Sequence, residues 1–226
     1  MVQPESSKQE PATRRAAPRW VHVARIRRHH AIQRGPRGQS LVEFALVLPI
    51  FILVIIAFIE FAFAFSALNS LNFVARDIAQ YAAEAGNTQG SDCSTLKLLE
   101  NELSVSTSPS GLTTVLIYWS DGNGNIVNAT ADQYSRTGSM TCTDVNGVSQ
   151  TLPYTAVSIT YADTTRCAVL LGCPSPPAAV NHPTLDTIGV QLTYTYNWKT
   201  PLATLLTFTS APTFKSTQQV RIEPVL

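Results

Sequence analysis

The chain reads Gly38-Gln39-Ser40-Leu41-Val42-Glu43-Phe44 at the start of an apolar run that continues to Phe65. From Phe44 to Phe65 all 22 residues are apolar except Glu60, and Pro49 is the one helix-breaking residue among them. A helix of that length covers about 33 Å, which matches the ~30 Å hydrocarbon core of a bilayer. Because a soluble buried helix is rarely apolar on every face for so long, the run predicts a span in contact with the lipid bilayer.

A secretory signal peptide is the main alternative for this run. Its apolar core is normally about 7–15 residues long and is followed at once by small residues at a cleavage site. Here the run is longer, and the sequence after Phe65 continues with helix-forming residues. We therefore predict a retained span, in which Pro49 is tolerated and could introduce a kink or a local unwinding.

The distribution of charge predicts the orientation of the span. Residues 1–38 hold nine Lys and Arg against two Glu, a balance of +7, whereas the remaining residues hold seven against thirteen Asp and Glu, a balance of −6. The positive-inside rule then keeps 1–38 in the cytoplasm and places the C-terminal part in the periplasm or outside the cell. A nucleic-acid-binding tail would also be basic, but this one lacks interleaved aromatic residues, so no nucleic-acid partner is predicted.

The cysteines agree with this orientation. All four, Cys93, Cys142, Cys167 and Cys173, follow the span, as expected for two disulfides in an oxidising compartment. Four cysteines allow three pairings, of which we favour Cys167–Cys173 with Cys93–Cys142, although the sequence alone does not decide. A metal site is a weak alternative because no CxxC spacing occurs and the exported part has one histidine, so no metal or other cofactor is predicted.

The helical pattern continues beyond the span to Ala85. Apolar residues recur there with alternating spacings of four and three, the pattern of a narrow packing seam, and a second row with smaller side chains is a weaker candidate. The first row is Ala67, Leu71, Val74, Ile78, Tyr81 and Ala85; the second is Leu68, Leu71, Ala75, Ile78 and Ala82. Either the seam packs on the chain's own exported domain, or its exposed part packs against copies or relatives. Gly86-Asn87 predicts a left-handed C-cap.

The sequence from Arg37 to Pro49 carries a family resemblance. A basic leader, the pattern Gly-x-x-x-x-Glu-Phe and an immediate span resemble type IV prepilins, and more narrowly the TadE-like pseudopilins of Flp/Tad (tight adherence) pilus systems. The second acidic-aromatic pair Glu60-Phe61, the Ala75-Arg76 step and a β-rich exported domain with a C-terminal strand also fit that group. The resemblance is specific over residues 37–86 and only suggestive beyond Gly90.

The resemblance implies a processing site. Prepilin-type peptidases cut after the glycine, so Gly38 would end the leader, Gln39 would carry the new amine, and Glu43 and Phe44 would be the fifth and sixth mature residues. In related pilins the glutamate meets the free amine of a neighbouring subunit, a pairing that a low-dielectric setting strengthens. The alternative for Glu43 is a carboxylate at the headgroup level without a partner. For Glu60, simple snorkelling and an intersubunit contact both remain open.

The part of the chain after the helix predicts a small β-rich domain with two short helices. The helices are predicted at Ser94–Leu103 and at Thr200–Phe208, and Cys173–Pro183 is predicted to be a loop. The predicted strands are Thr113–Trp119, one near Ile126–Asn128 after a turn at Asp121–Asn125, Thr155–Ala162, Ile188–Trp198 and Gln218–Glu223. The fold class is therefore α+β: a long N-terminal transmembrane helix that extends outside the membrane, then an antiparallel β-rich exported domain.

Two candidate sites in this domain are weak. Asp121, Asn123 and Asn125, with Asp132, partly match a calcium loop, but the sixth loop position is Ile126 rather than glycine, which favours a plain hairpin turn. His182 and Asp186 have no accompanying nucleophile motif, so no catalytic residue and no enzyme activity are predicted.

The sequence thus predicts a leader (1–38), a transmembrane and extended helix (39–86) and an exported domain (90–226). With the resemblance, it predicts a membrane-anchored minor pilin or pseudopilin that acts in pilus assembly. Its partners would be a prepilin-type peptidase, other pilins and the Tad assembly machinery. The alternative is a monomeric, single-span exported binding module in which the helix is only a tether.

Overall fold

A computed structural model describes residues 38–168, 184–205 and 210–222. The chain divides into two units, Met1–Phe44 and Ala45–Leu226. In the first unit, the described residues are 38–44, where the long helix α1 (Gln39–Ala85) begins. Predicted elements that fall on the remaining residues, such as the loop at Cys173–Pro183, lie outside the described part of the chain.

Two further helices follow α1. Gly86 ends α1 with a φ of +54°, and its N–H donates to the Ala82 carbonyl at 3.1 Å, so the predicted left-handed cap is confirmed. Helix α2 (Ser91–Ser106) is three residues longer at each end than the predicted helix. Helix α3 (Leu202–Leu205) is a single turn inside the segment predicted as helical, and residues 206–208 of that segment are not described.

Five strands form an antiparallel sheet and two more form a separate hairpin. The strand order in the sheet is β5-β2-β1-β6-β7, and the hairpin is β3-β4. The strands are β1 (Leu112–Ser120), β2 (Ile126–Ser135), β3 (Met140–Thr143), β4 (Ser149–Leu152), β5 (Thr155–Ile159), β6 (Thr187–Thr195) and β7 (Thr213–Arg221). The α+β class with a long apolar N-terminal helix and an antiparallel sheet is confirmed.

All five predicted strands exist, but their limits differ. β2 extends to Ser135, far beyond the few residues predicted after the turn, because it pairs with both β1 and β5 along its length. β5 and β6 end earlier than predicted, and β7 begins five residues earlier. The β3–β4 hairpin is absent from the sequence-based prediction.

The core lies between the helices and one face of the central strands. Every second residue of β1 and β6 faces it, for example Val115 opposite Leu192 and Ile117 opposite Val190. These residues cluster with apolar side chains of α1 and α2. We use the name head for the described residues from 90 to 222. The outer half of α1 therefore contributes to the same core as the head, and this packing positions the site described next.

Candidate functional site: the membrane helix and its junction with the head

The first half of α1 is an apolar surface. Its most apolar 18-residue window has a mean hydropathy of 3.0, and no residue of that window is buried. Large side chains such as Phe44 (63% exposed) and Leu46 (70%) have no covering element. In water such a surface would be strongly unfavourable, so it fits a single-pass membrane anchor. The helix continues through Pro49.

The N-terminal turn of α1 brings together the residues of the predicted processing site. The Gly38 carbonyl accepts the hydrogen bond from the Val42 N–H at 3.2 Å. One turn on, the Gln39 side-chain amide donates to the Glu43 carboxylate at 3.0 Å. Both side chains are exposed, and Phe44 follows on the exposed apolar surface. Glu43 thus lies within reach of Gln39 on the same helix face.

Nothing in the fold requires glycine at position 38. A Cβ atom placed there would meet no atom of the described residues within 4 Å, and the residue does not have a left-handed φ. Gly90 differs in both respects, since its φ is +87° and an added Cβ would lie 2.5 Å from the Thr143 carbonyl oxygen. Gly90 is therefore a structural glycine, whereas the structure gives no packing or backbone reason for Gly38.

Glu60 marks the point where α1 meets the head. The residue is 2% exposed, and its carboxylate accepts at least three hydrogen bonds from one segment that follows β6. Among the donors are the Tyr196 hydroxyl at 2.6 Å, the Lys199 N–H at 3.0 Å and the Thr200 N–H at 2.7 Å. A carboxylate removed from water is tolerated when it is satisfied in this way, and such charge-assisted bonds are strong.

These bonds give Glu60 an intramolecular role that neither sequence interpretation included. Its partners lie 136 to 140 residues further along the chain, so no local sequence pattern predicts these contacts. The sequence indicates only that a carboxylate inside an apolar run is energetically unfavourable. That observation suggests a function for Glu60 but does not identify its partners. Sequence analysis did not identify Tyr196, Lys199 or Thr200 as site residues.

The seam beyond the span packs against the chain's own head. Leu71, Val74 and Ile78 are buried as members of the first row, but Tyr81 is only partly buried. The row expected to be weaker is the more completely covered one, since from Leu71 onward its members are 0% exposed. Small alanines allow the head to approach the helix backbone closely, which explains why they lie at the centre of the contact.

A disulfide and an ion pair are among the links that attach α2 to the strands. Cys93 and Cys142 form a disulfide, with a Cα–Cα distance of 5.8 Å, that ties α2 to β3. Arg136, just after β2, donates two hydrogen bonds to the Glu100 carboxylate at 2.8 and 2.9 Å. Cys167 is also disulfide-bonded, and Cys173, its predicted partner, lies outside the described residues.

A buried ionic cluster lies between the start of α2 and β2. The Arg166 guanidinium contacts the Asp92 carboxylate, and it lies 3.9 Å from Asp132, which is itself fully buried. Asp132 accepts hydrogen bonds from the Thr160 and Tyr161 N–H groups at 2.7 and 2.6 Å. Burial raises the pKa of Asp132 to about 7, and the negative charge of Asp92 acts in the same direction. The cluster joins segments of the fold, and Asp92 and Asp132 also line a pocket of about 410 Å³.

The described residues among the weak site candidates hydrogen-bond within the fold. Asp121 accepts hydrogen bonds from the Asn123 and Asn125 N–H groups at 2.7 and 3.1 Å, which confirms the hairpin turn, and Asp132 lies away from it in the ionic cluster. Asp186 is buried and accepts from the Tyr161 hydroxyl at 2.9 Å. His182 lies outside the described residues. Among the residues that are described, no group of three or more His, Cys, Asp or Glu is arranged to hold a metal ion.

Comparison with known proteins identifies a family model that matches part of the chain. Residues 38–80 match a family model described as TadE-like protein. No curated protein and no solved structure matches the chain. The match begins at Gly38, covers the exposed apolar segment of α1, and ends within the part that packs on the head. Residues 38–80 are therefore a TadE-like segment, and the family resemblance predicted from the sequence is confirmed for that part of the chain.

Proposed function

We propose that this protein is a membrane-anchored minor pilin or pseudopilin that acts in Flp/Tad-type pilus assembly. The observation that carries the proposal is the TadE-like match over residues 38–80, which coincides with an exposed apolar helix long enough to cross a bilayer. In this role its partners are other pilins and the Tad assembly machinery. The proposed role is structural, with no catalytic step performed by the chain.

The proposal assigns three functional segments. Residues 1–38 form a basic cytoplasmic leader, 39–86 form the transmembrane and extended helix, and 90–226 form a periplasmic or extracellular domain. The arginine-rich leader supports this orientation through the positive-inside rule. The Cys93–Cys142 disulfide supports it too, because such bonds persist in oxidising compartments.

A prepilin-type peptidase would process the chain after Gly38. The support from the fold is that glycine at this position meets no packing or backbone requirement, so a requirement of a processing enzyme is the simpler reason for it. Cleavage would convert the Gln39 nitrogen into an ammonium group. Glu43, one turn away and exposed, is then available to pair with the ammonium group of a neighbouring subunit.

Mass spectrometry of the membrane-extracted protein tests the processing step. In cells with a prepilin-type peptidase we expect a mature N-terminus at Gln39. Gly38→Val should keep the intact leader while the head folds normally, because an added side chain at 38 has open space. Gly35→Val, three residues earlier in the leader, is the matched control and should still be cleaved. A wild-type chain that retains residues 1–38 would contradict the proposal.

The second candidate is a monomeric single-span binding module in which the helix is a tether. The observation that favours it is the burial of Leu71, Ala75, Ile78 and Ala82 against the chain's own head, which removes that face from contact with neighbours. Glu43→Ala separates the two functions. It should block incorporation into pilus assemblies in the first case and have no effect on membrane insertion or display of the head in either.

A further inference from the structure

A pocket of about 420 Å³ lies beside Glu60, where α1 meets the head. One wall is helical and the other belongs to the head. The polar groups of the otherwise apolar lining residues are the Glu60 carboxylate, the Tyr196 hydroxyl that donates to it and the Trp198 indole N–H. That carboxylate already accepts three hydrogen bonds, so the pocket offers little to a polar ligand. The residues that matter here are Ala57, Phe61 and Ala64 from α1 and Tyr196, Trp198 and Phe214 from the head.

The pocket is continuous with the exposed apolar surface of α1. A second, shallower groove is lined by Val54, Ala57, Phe58 and Phe61, so it shares Ala57 and Phe61 with the pocket. Below this groove the helix is exposed and apolar down to its first turns. A hydrocarbon chain that lies along α1 in a bilayer therefore has an uninterrupted apolar path into the pocket.

The shape of the pocket favours a flexible chain over a helix. An α-helix with its side chains is about 10–12 Å across, and its backbone ends need hydrogen-bond partners that an apolar pocket does not supply. A volume of about 420 Å³ suits a small ligand, whereas a stable protein interface buries roughly 800 Å² on each partner. The head residues Tyr196 and Trp198 also close the wall opposite α1, so a neighbouring helix that ran along this face would meet them.

We propose that this pocket binds one acyl chain of a phospholipid from the leaflet on the head side of the membrane. The proposal rests on the membrane anchor of the proposed function, and it is independent of peptidase processing and of pilus assembly. The bound chain fills the space between helix and head with hydrocarbon in place of water.

Photolabelling of the full chain in vesicles tests this. The vesicles contain phosphatidylethanolamine and phosphatidylglycerol, doped with a phospholipid that carries a diazirine in its acyl chain. After irradiation, peptide mass spectrometry should find lipid adducts on Phe214 and Tyr196, which belong to the head, as well as on the exposed residues of α1. Ala64→Trp fills the pocket and should lower the head adducts at least fivefold, with the adducts on residues 44–56 unchanged.

Ala62→Trp is the matched control, because Ala62 lies on the same helix, is exposed and does not line the pocket; its head adducts should equal those of the wild type. Retention of the Cys93–Cys142 disulfide checks that both variants fold. If Ala64→Trp does not fold, Ala57→Phe is a second variant that fills the pocket.

Adducts on α1 without adducts on the head overturn the pocket proposal alone. An absence of adducts along the whole chain overturns the membrane anchor with it. A photoreactive residue can also be placed at position 64 instead of Ala64. A cross-link from this residue to a second protein chain, rather than to a lipid, would overturn the pocket proposal.

Discussion

Glu60 is the first residue of α1 that is buried by the rest of the protein. Its carboxylate is desolvated, and three donors from the segment after β6 replace the lost water. The head covers one face of α1 at this residue, whereas Phe61 and Phe65 beyond it stay exposed on the rest of the helix surface.

Replacement of Glu60 tests the strength of this attachment. Glu60→Ala leaves the Tyr196 hydroxyl and two backbone N–H groups without their acceptor, which should lower the free energy of unfolding by about 2–3 kcal/mol. Glu60→Gln keeps one acceptor oxygen and should cost less. The measurement is thermal or chemical unfolding of the detergent-solubilised chain. Glu84→Ala, at an exposed position on the same helix, is the control and should change stability little. Equal stability of the Glu60→Ala and Glu84→Ala variants would contradict the role of Glu60.

Asp132 predicts a pH dependence of stability. Its pKa in the folded protein is raised from the usual 3.8 to about 7, because burial disfavours the charged form. A raised pKa means that the folded state holds a proton that the unfolded state releases. This group therefore lowers stability progressively as the pH rises from about 4 to about 7. Asp132→Asn, which mimics the protonated form, should remove most of that slope in unfolding experiments across this range.

Asp121→Asn provides the control for the pH experiment. Hydrogen bonds from the side chain of Asn125 and the N–H of Asn123 lower the pKa of Asp121, so its contribution is present above its unfolded pKa and is lost only as the pH falls through the folded one. The slope between pH 5 and 7 should therefore be unchanged in this variant. A slope that is the same in wild type and Asp132→Asn would refute the assignment.

At the scale of elements, α1 has two surfaces of different character in one helix. Its first half presents large apolar side chains outward, and its second half buries a stripe of small ones against the head. Small residues at a buried stripe set the distance between helix and sheet, so their volume is constrained. Phe73, on the opposite side of the second half, is 69% exposed and has no such constraint.

Ala79 tests the constraint on volume. Ala79→Leu adds three carbon atoms at a position that is 0% exposed, and overpacking of this kind should cost about 1–3 kcal/mol of stability. Gln80→Leu, at the adjacent exposed position, should be close to neutral. Unfolding of both variants in detergent makes the comparison, and a destabilisation that is equal for both would mean that the stripe is not closely packed.

Elements with a strong local pattern were predictable from the sequence. The continuous apolar run, the heptad-like spacing and Gly86 predicted α1 to its last residue, and runs of β-branched residues predicted the sites of five strands. The β3–β4 hairpin was missed because Met140–Thr143 and Ser149–Leu152 are four-residue strands with few apolar positions. The Asn146-Gly147 pair between them, with a φ of +78° at the glycine, is a hairpin signal that was present in the sequence.

The sequence predicted only those parts of the site whose residues lie close together along the chain. Gly38, Gln39 and Glu43 fall within two helical turns, so spacing alone groups them. The contacts of Glu60 join residues more than 130 positions apart, and the Arg166–Asp92 pair joins residues 74 apart. Such pairs depend on where the segments after β5 and β6 lie against the helices, which no window of sequence contains.

At the scale of the whole molecule, the charge asymmetry predicts opposite locations for the two ends of the chain. Single cysteines at Ser6→Cys in the leader and Asn146→Cys in the exposed β3–β4 turn report on them. In intact cells a membrane-impermeant maleimide should modify the second and not the first. The background is low because Cys93, Cys142 and Cys167 are disulfide-bonded.

Permeabilised cells are the control, in which both introduced cysteines should react. Modification of the leader cysteine alone in intact cells would reverse the orientation. It would also place the head in a reducing compartment, which the Cys93–Cys142 bond makes unfavourable.

The attachment of the head at Glu60 has a mechanical consequence. Hydrogen bonds at Glu60 and close packing from Leu71 to Ala83 attach the helix to the head. No flexible linker therefore separates the apolar segment of α1 from the head. A pulling force on the apolar segment is then carried directly into the sheet, and the head is displaced with the helix. Withdrawal of the helix from the bilayer by a few ångströms would lift the head by a similar distance, which makes this chain suited to transmit force rather than to absorb it.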